Sequence, residues 1–152
     1  MTPTELKAFY RGNLEHARDH YAKDLSAMSE DALSKRPTPS ARSAYDYTYE
    51  VIGVNKRMAI RLSGGVPVKD TSEGWAVAPE EWQSKERIQG EFVQSMEGVI
   101  AAWEALPDDE VGRAEGDHRP ANIVHMCCIH TMYHDAQLNY LQALEGDLAV
   151  HW

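Results

Sequence analysis

The sequence predicts an all-α protein, a four-helix bundle, and three observations lead there. Four long segments repeat apolar residues at helical spacing, and each is bounded by capping or breaking residues. No run alternates apolar and polar residues between turn signals, as a half-buried strand would. Helices of about 20 to 28 residues joined by short or moderate connectors form an up-down-type bundle. The expected spans are residues 3–28, 43–62, 80–105 and 120–145.

The first helix opens on Thr2 as N-cap, Pro3 at the first helical position and Glu5 closing a capping box. Leu6, Tyr10, Leu14, Ala17, Tyr21, Leu25 and Met28 follow as one stripe. His16 and His20 flank that stripe among Glu15, Arg18 and Asp19 and read as a solvated edge. Ser34 to Ser40 carries two prolines and is a connector. Ser43-Ala44-Tyr45-Asp46 is a second capping box, followed by a stripe of Ala44, Tyr47, Val51, Val54, Met58 and Leu62 and a stop at Ser63-Gly64-Gly65. Glu50 borders this stripe, and periodicity leaves open whether its carboxylate turns inward or snorkels to solvent.

Val66 to Ala78, with Trp75, is a loop of the length that often covers a site. Pro79-Glu80-Glu81 opens the third helix with acidic residues where the helix dipole favours them. Trp82, Ile88, Phe92, Met96, Val99, Trp103 and Leu106 supply its stripe, and Leu106-Pro107-Asp108-Asp109 stops it. Val111 to Arg119 is a polar connector, and the fourth helix then runs from Pro120 to Gly146.

At 152 residues the chain fits one domain, 1–152, long enough to bury a core. Hydrophobic content of 43% against 26% charged is that of a soluble globular protein. A net charge of −9 counts against nucleic acid, whose phosphates need a basic surface. No apolar run approaches the ~20 residues of a membrane span, so no membrane partner is expected. The start, Met-Thr-Pro-Thr-Glu-Leu-Lys, lacks the basic and apolar regions of a signal peptide. Cys127 and Cys128 are adjacent and point about 100° apart on a helix, which disfavours a disulfide between them; a cytoplasmic location fits.

The fourth helix carries the chemistry. Ile123, Cys127, His130, His134, Gln137, Leu141 and Leu144 step by four and three, a seam that is apolar at its ends and polar in its middle. Buried polar side chains cost free energy unless something satisfies them. His130 and His134, four apart, can aim two imidazoles at one metal ion. The alternative is a polar centre satisfied by hydrogen bonds alone. Cys127 reads as a small core residue.

Two imidazoles leave a metal incompletely held. His125 lies about 140° around the helix from His130, and His118 falls in the connector, so neither is placed to help. Glu50, the acidic residue of the second helix nearest its buried stripe, is the candidate third ligand. Such a set keeps positions open and suits Zn, Ni, Mn or Fe as a divalent ion. An open site can polarise bound water or turn a bound thiol into thiolate. Gln137, one turn past His134, could orient a ligand or touch substrate.

These residues also carry a family resemblance. Ser43-Ala44 leading to Glu50-Val51-Ile52-Gly53-Val54-Asn55, with His130-x-x-x-His134-x-x-Gln137-Leu138, resembles the DinB-like superfamily over roughly residues 40–62 and 120–146. Its members are metal-binding four-helix bundles that include bacillithiol- and mycothiol-dependent transferases and isomerases. The family pattern is one His on the second helix, then an apolar run and often Asn, and later His-x-x-x-His-x-Gly-Gln. His130, His134 and Gln137 match it, Ala136 replaces the glycine, and Glu50 falls where the first His is expected.

The resemblance implies a metal held by Glu50, His130 and His134, with Gln137 and Asn55 supporting it or contacting substrate. It implies transfer of a low-molecular-weight thiol to a small electrophilic substrate, or a related hydrolysis, in a pocket shaped by the first helix and the Val66–Ala78 loop. It also implies a homodimer, with Trp103 and Trp152 as contact candidates. A carboxylate in place of imidazole lowers the charge of the site by one unit and makes the ion a poorer Lewis acid. The rival expectation is a non-catalytic homodimeric bundle, metal-binding or stress-related, whose polar centre is structural.

Overall fold

The computed structural model describes residues 1–69, 75–113 and 119–151. His118, Trp152 and residues 70–74 of the loop lie outside them. The helices are α1 (Pro3–Ala27), α2 (Glu30–Ser34), α3 (Ala44–Leu62), α4 (Lys85–Glu104), α5 (Asp108–Val111) and α6 (Pro120–Leu144), and no strand occurs among the described residues. None of these helices is long and apolar enough to cross a membrane.

The four long helices pack as a square in which α1 and α3 each lie between α4 and α6. Their directions follow from what meets at the ends. Lys7 Nζ, early in α1, donates to Glu104 O (3.3 Å) and Leu106 O (2.6 Å) at the end of α4. Lys85 Nζ, at the start of α4, donates to Ser26 O (2.8 Å) and Met28 O (2.7 Å) at the end of α1. These two helices are therefore antiparallel. In contrast, Tyr49 meets Trp82 and Lys56 pairs with Glu91, so α3 and α4 run parallel. The order is up-down-down-up instead of the simple up-down pattern expected. Parallel neighbours need a crossover, and residues 63–84 supply it.

Local chemistry sets the helix ends. The box at α1 forms as read, with Glu5 N donating to Thr2 Oγ1 (3.2 Å) and Thr2 N to Glu5 Oε2 (2.7 Å). At α3, Ser43 N donates to Asp46 Oδ2 (2.8 Å) and Asp46 N to Ser43 Oγ (3.3 Å). Gly64, at φ 77°, takes the left-handed conformation that closes α3. The third long helix starts later than expected. Glu80–Trp82 makes only a 3₁₀ turn, and α4 begins at Lys85 because Ser84 Oγ caps Arg87 N (3.4 Å). Trp82 is held off the helix by Tyr49, 5.0 Å between ring centroids, and by the Arg87 guanidinium, 4.4 Å from its ring.

The core reads largely as the stripes imply, with Leu14, Tyr21, Leu25, Val51, Leu62, Ile88, Phe92, Met96 and Val99 buried; Ile52 and Leu138, off the expected stripes, are buried as well. Trp103 is wholly buried, and its Nε1 donates to Lys7 O (3.1 Å), so it is not a subunit contact. On α6 the buried face is turned by about one position from the expected seam. Val124, Cys127, Thr131, His134, Asp135, Leu138, Leu141 and Gln142 are buried, while Ile123, His130 and Gln137 sit at its edge and Leu144 is exposed. Three buried polar residues, Thr131, Asp135 and Gln142, hide this face from a reading based on apolar periodicity.

Candidate metal centre

Helices α3 and α6 are antiparallel, and their middles face each other at Glu50, His130 and His134. Asp46, wholly buried, anchors the α3 side. Besides closing its cap it accepts from Ala78 N (2.9 Å) and pairs with Arg36 Nη2 (2.8 Å), tying the α2–α3 connector and the crossover to the start of α3. That brings Arg42 over the first turns of α3, where its guanidinium lies 4.6 Å from the Tyr47 ring and 4.7 Å from the Trp75 ring. Nη1 donates to Glu50 Oε2. The pair is well buried, with side-chain exposures of 6% and 12%.

The other Glu50 oxygen faces the histidines. Oε1 lies 3.4 Å from His130 Nε2 and 3.5 Å from His134 Nε2, and the two Nε2 atoms are 3.2 Å apart. His134 Nδ1 is 2.6 Å from Gln137 Oε1, an acceptor, which puts the ring proton on Nδ1 and leaves the Nε2 lone pair pointing at the centre. Glu50 Oε1 and the His134 Nε2 lone pair thus converge with His130 Nε2 on one point. Acceptors so close repel one another unless a proton, such as that of a His130 Nε2–H, or a metal ion sits among them. The spacing suits a metal: a tetrahedral ion with bonds of ~2.0–2.1 Å has ligand atoms about 3.4 Å apart.

Electrostatics agree with an ionised Glu50. Burial works to raise its pKa, but the His130 and His134 rings beside Oε1 and the Arg42 guanidinium on Oε2 outweigh it and hold the carboxyl below the usual range. Arg42 also offsets the unit of negative charge that a carboxylate introduces in place of a third imidazole. The poorer Lewis acidity expected from Glu50 alone is thereby countered.

Gln137 reaches the site through His134. Asn55 is buried against α4, donating to Ser95 Oγ (3.3 Å) and Met96 Sδ (3.1 Å), and its described bonds include none to the triad. His130 Nδ1 is buried without a hydrogen-bond partner among the described residues. Cys127 is a core residue whose thiol burial and the adjacent Cys128 push up to about 12; burial pushes Cys128 up to about 11. Neither is a thiolate at neutral pH. His16 is exposed, its ring tilted against that of His20 at 3.8 Å between centroids, and neither belongs to the triad. Arg42, Tyr47 and Trp75 complete the site, and the sequence reading gave none of them a role there. Trp75 lay on a loop suspected of covering a site; Arg42 sits in a connector, outside any periodic stripe.

An α-helical bundle with two His and one carboxylate converging between facing helices defines a class of protein able to hold a metal ion within its core. The chain belongs to the DinB superfamily, whose family model matches residues 13–138, a span that contains Glu50, His130, His134 and Gln137. No curated protein matches the sequence.

Proposed function

We propose that the protein is a cytoplasmic metal-dependent enzyme that transfers a low-molecular-weight thiol to a small electrophilic substrate, or performs a related hydrolysis. The observation that carries this reading is the convergence of Glu50 Oε1, His130 Nε2 and His134 Nε2 within 3.2–3.5 Å of one another. Those three atoms would hold a divalent transition ion, Zn, Ni, Mn or Fe. Bound there, the ion supplies Lewis acidity that favours thiolate or hydroxide at neutral pH.

The protein's own residues have separable tasks. Gln137 fixes the His134 tautomer so that Nε2 stays a lone-pair donor. Arg42 occupies Glu50 Oε2 and leaves Oε1 as a single-point ligand. Trp75 and Tyr47 sandwich that guanidinium and keep water from it. With the protein's two thiols protonated, a sulfur nucleophile would come from a separate small molecule.

A second reading has one observation in its favour. The Arg42–Glu50 ion pair already satisfies the carboxylate, so a protonated His could complete the cluster in a non-catalytic bundle. Elemental analysis of protein purified without an affinity tag separates the two. About one transition ion per chain, lost in His134→Ala, is the expected result. Absence of metal, and no uptake of Zn²⁺ or Ni²⁺ by calorimetry, would leave the non-catalytic reading.

A further inference from the structure

Arg42 uses one of its hydrogen-bonding edges and leaves another open. Nη1 donates to Glu50 Oε2, and the described hydrogen bonds of this side chain end there. Nε is buried with no hydrogen-bond partner among the described residues, in a side chain only 6% exposed. The Nε and Nη2 donors on the side edge of a guanidinium match the two oxygens of a carboxylate. Leaving such a donor buried and unpaired costs free energy that a second carboxylate would recover. Asp46, the wholly buried carboxylate at this end of α3, is already taken by Ser43, Ala78 and Arg36. Tyr47 and Trp75 lie over the guanidinium, so a polar ligand has to meet it edge-on. Tyr47 is fixed on α3, whereas Trp75 stands on the crossover and is 60% exposed, which makes it the wall that an entering ligand displaces.

Building on the metal-dependent reading above, we propose that this edge receives a carboxylate of the small molecule that binds at the ion, which makes that molecule a thiol acid and not an uncharged thiol. Position favours this. The open edge is separated from the point between Glu50 Oε1 and the two Nε2 atoms only by the Glu50 carboxylate and the guanidinium itself, a span that one small molecule can bridge. Charge favours it as well. Arg42 and Glu50 cancel each other, and histidines that ligate through a lone pair are neutral, so a bound dication would leave two positive charges at a largely buried centre. One thiolate and one carboxylate neutralise both charges, whereas an uncharged thiol that binds as thiolate leaves one of them.

Calorimetry of the zinc-loaded chain with β-mercaptopropionate and with its uncharged amide tests this. The acid is expected to bind ~10–100-fold more tightly, the gain of hydrogen bonds between charged groups. In Arg42→Lys the ammonium still pairs with Glu50 Oε2 but offers no second edge, so the preference should fall to ~3-fold or less while Zn²⁺ content and helical circular dichroism stay unchanged. A wild type that prefers the acid by less than ~3-fold, or a folded Arg42→Lys that keeps the preference, would overturn the proposal. Should Arg42→Lys fail to fold, a crystal structure of the wild-type complex gives the answer: a carboxylate on Nε and Nη2 supports the proposal, and one left in solvent overturns it. Propionate and propionamide titrated in chelator repeat the comparison without an ion. A chain that takes up no Zn²⁺ yet prefers propionate contradicts the metal centre and supports the carboxylate edge; a chain that binds Zn²⁺ but shows no acid preference in either buffer does the reverse.

Discussion

Glu50 divides its two oxygens between opposite partners. Oε2 belongs to Arg42, and Oε1 faces His130 and His134. Arg42 and a bound dication would both stabilise the same carboxylate and repel each other, so their effects are coupled. Arg42→Leu should cost about 3–5 kcal/mol in urea melts with chelator present, because it leaves a mostly buried carboxylate unpaired. With Zn²⁺ saturating, the loss should shrink, since the ion then supplies the missing positive charge. An equal loss in both conditions would mean that no ion reaches Glu50. His130, His134 and Gln137 could be singled out from the sequence because helical geometry converts spacing into a shared face. Arg42 could not. It reaches Glu50 by way of the Asp46 anchor and the crossover, contacts that no local spacing encodes.

The pairing of α1 with α6 depends on a buried polar knot. Asp24 is wholly buried; its Oδ2 accepts from Asn139 Nδ2 (2.7 Å) and its backbone carbonyl from Gln142 Nε2 (3.0 Å). Asp135 lies beside it. Burial, then the charge of Asp24 and a hydrogen bond with it, push the Asp135 carboxyl up to about 8. Between ~4, where a free carboxyl titrates, and that value, the folded chain keeps a proton that the unfolded chain has released. Stability should therefore fall as pH rises through this window, by on the order of a few kcal/mol. Asp135→Asn, which keeps an N–H donor toward Asp24, should flatten the slope in denaturant titrations. A slope unchanged by the substitution would contradict the shared-proton arrangement. The same knot explains why the α6 stripe was misplaced by one position. Its core face contains Thr131, Asp135 and Gln142, and its outer face contains Ile129, Tyr133 and Tyr140, so polarity there does not report burial. Helices α1 and α3 were legible to within a residue or two because capping boxes mark their starts. The start of α4 was not, because two candidate starts compete and Ser84 wins.

Across the whole molecule, periodicity identifies helices but is blind to their direction, which is why four helices were legible and the up-down-down-up order was not. That order nevertheless places α3 and α6 as antiparallel neighbours with Glu50 opposite His130 and His134, as a site shared between them requires. An ion there would clip together two helices far apart in sequence, so metal at 100 times its Kd should add about 2.7 kcal/mol to stability. The most direct measurement is a crystal structure of protein soaked with Zn²⁺ or Ni²⁺. The expected result is one ion ~2.0–2.2 Å from His130 Nε2, His134 Nε2 and Glu50 Oε1, with Arg42 still on Oε2. An ion bound elsewhere, or His130 and His134 rings that point to different helix interfaces, would contradict the metal centre.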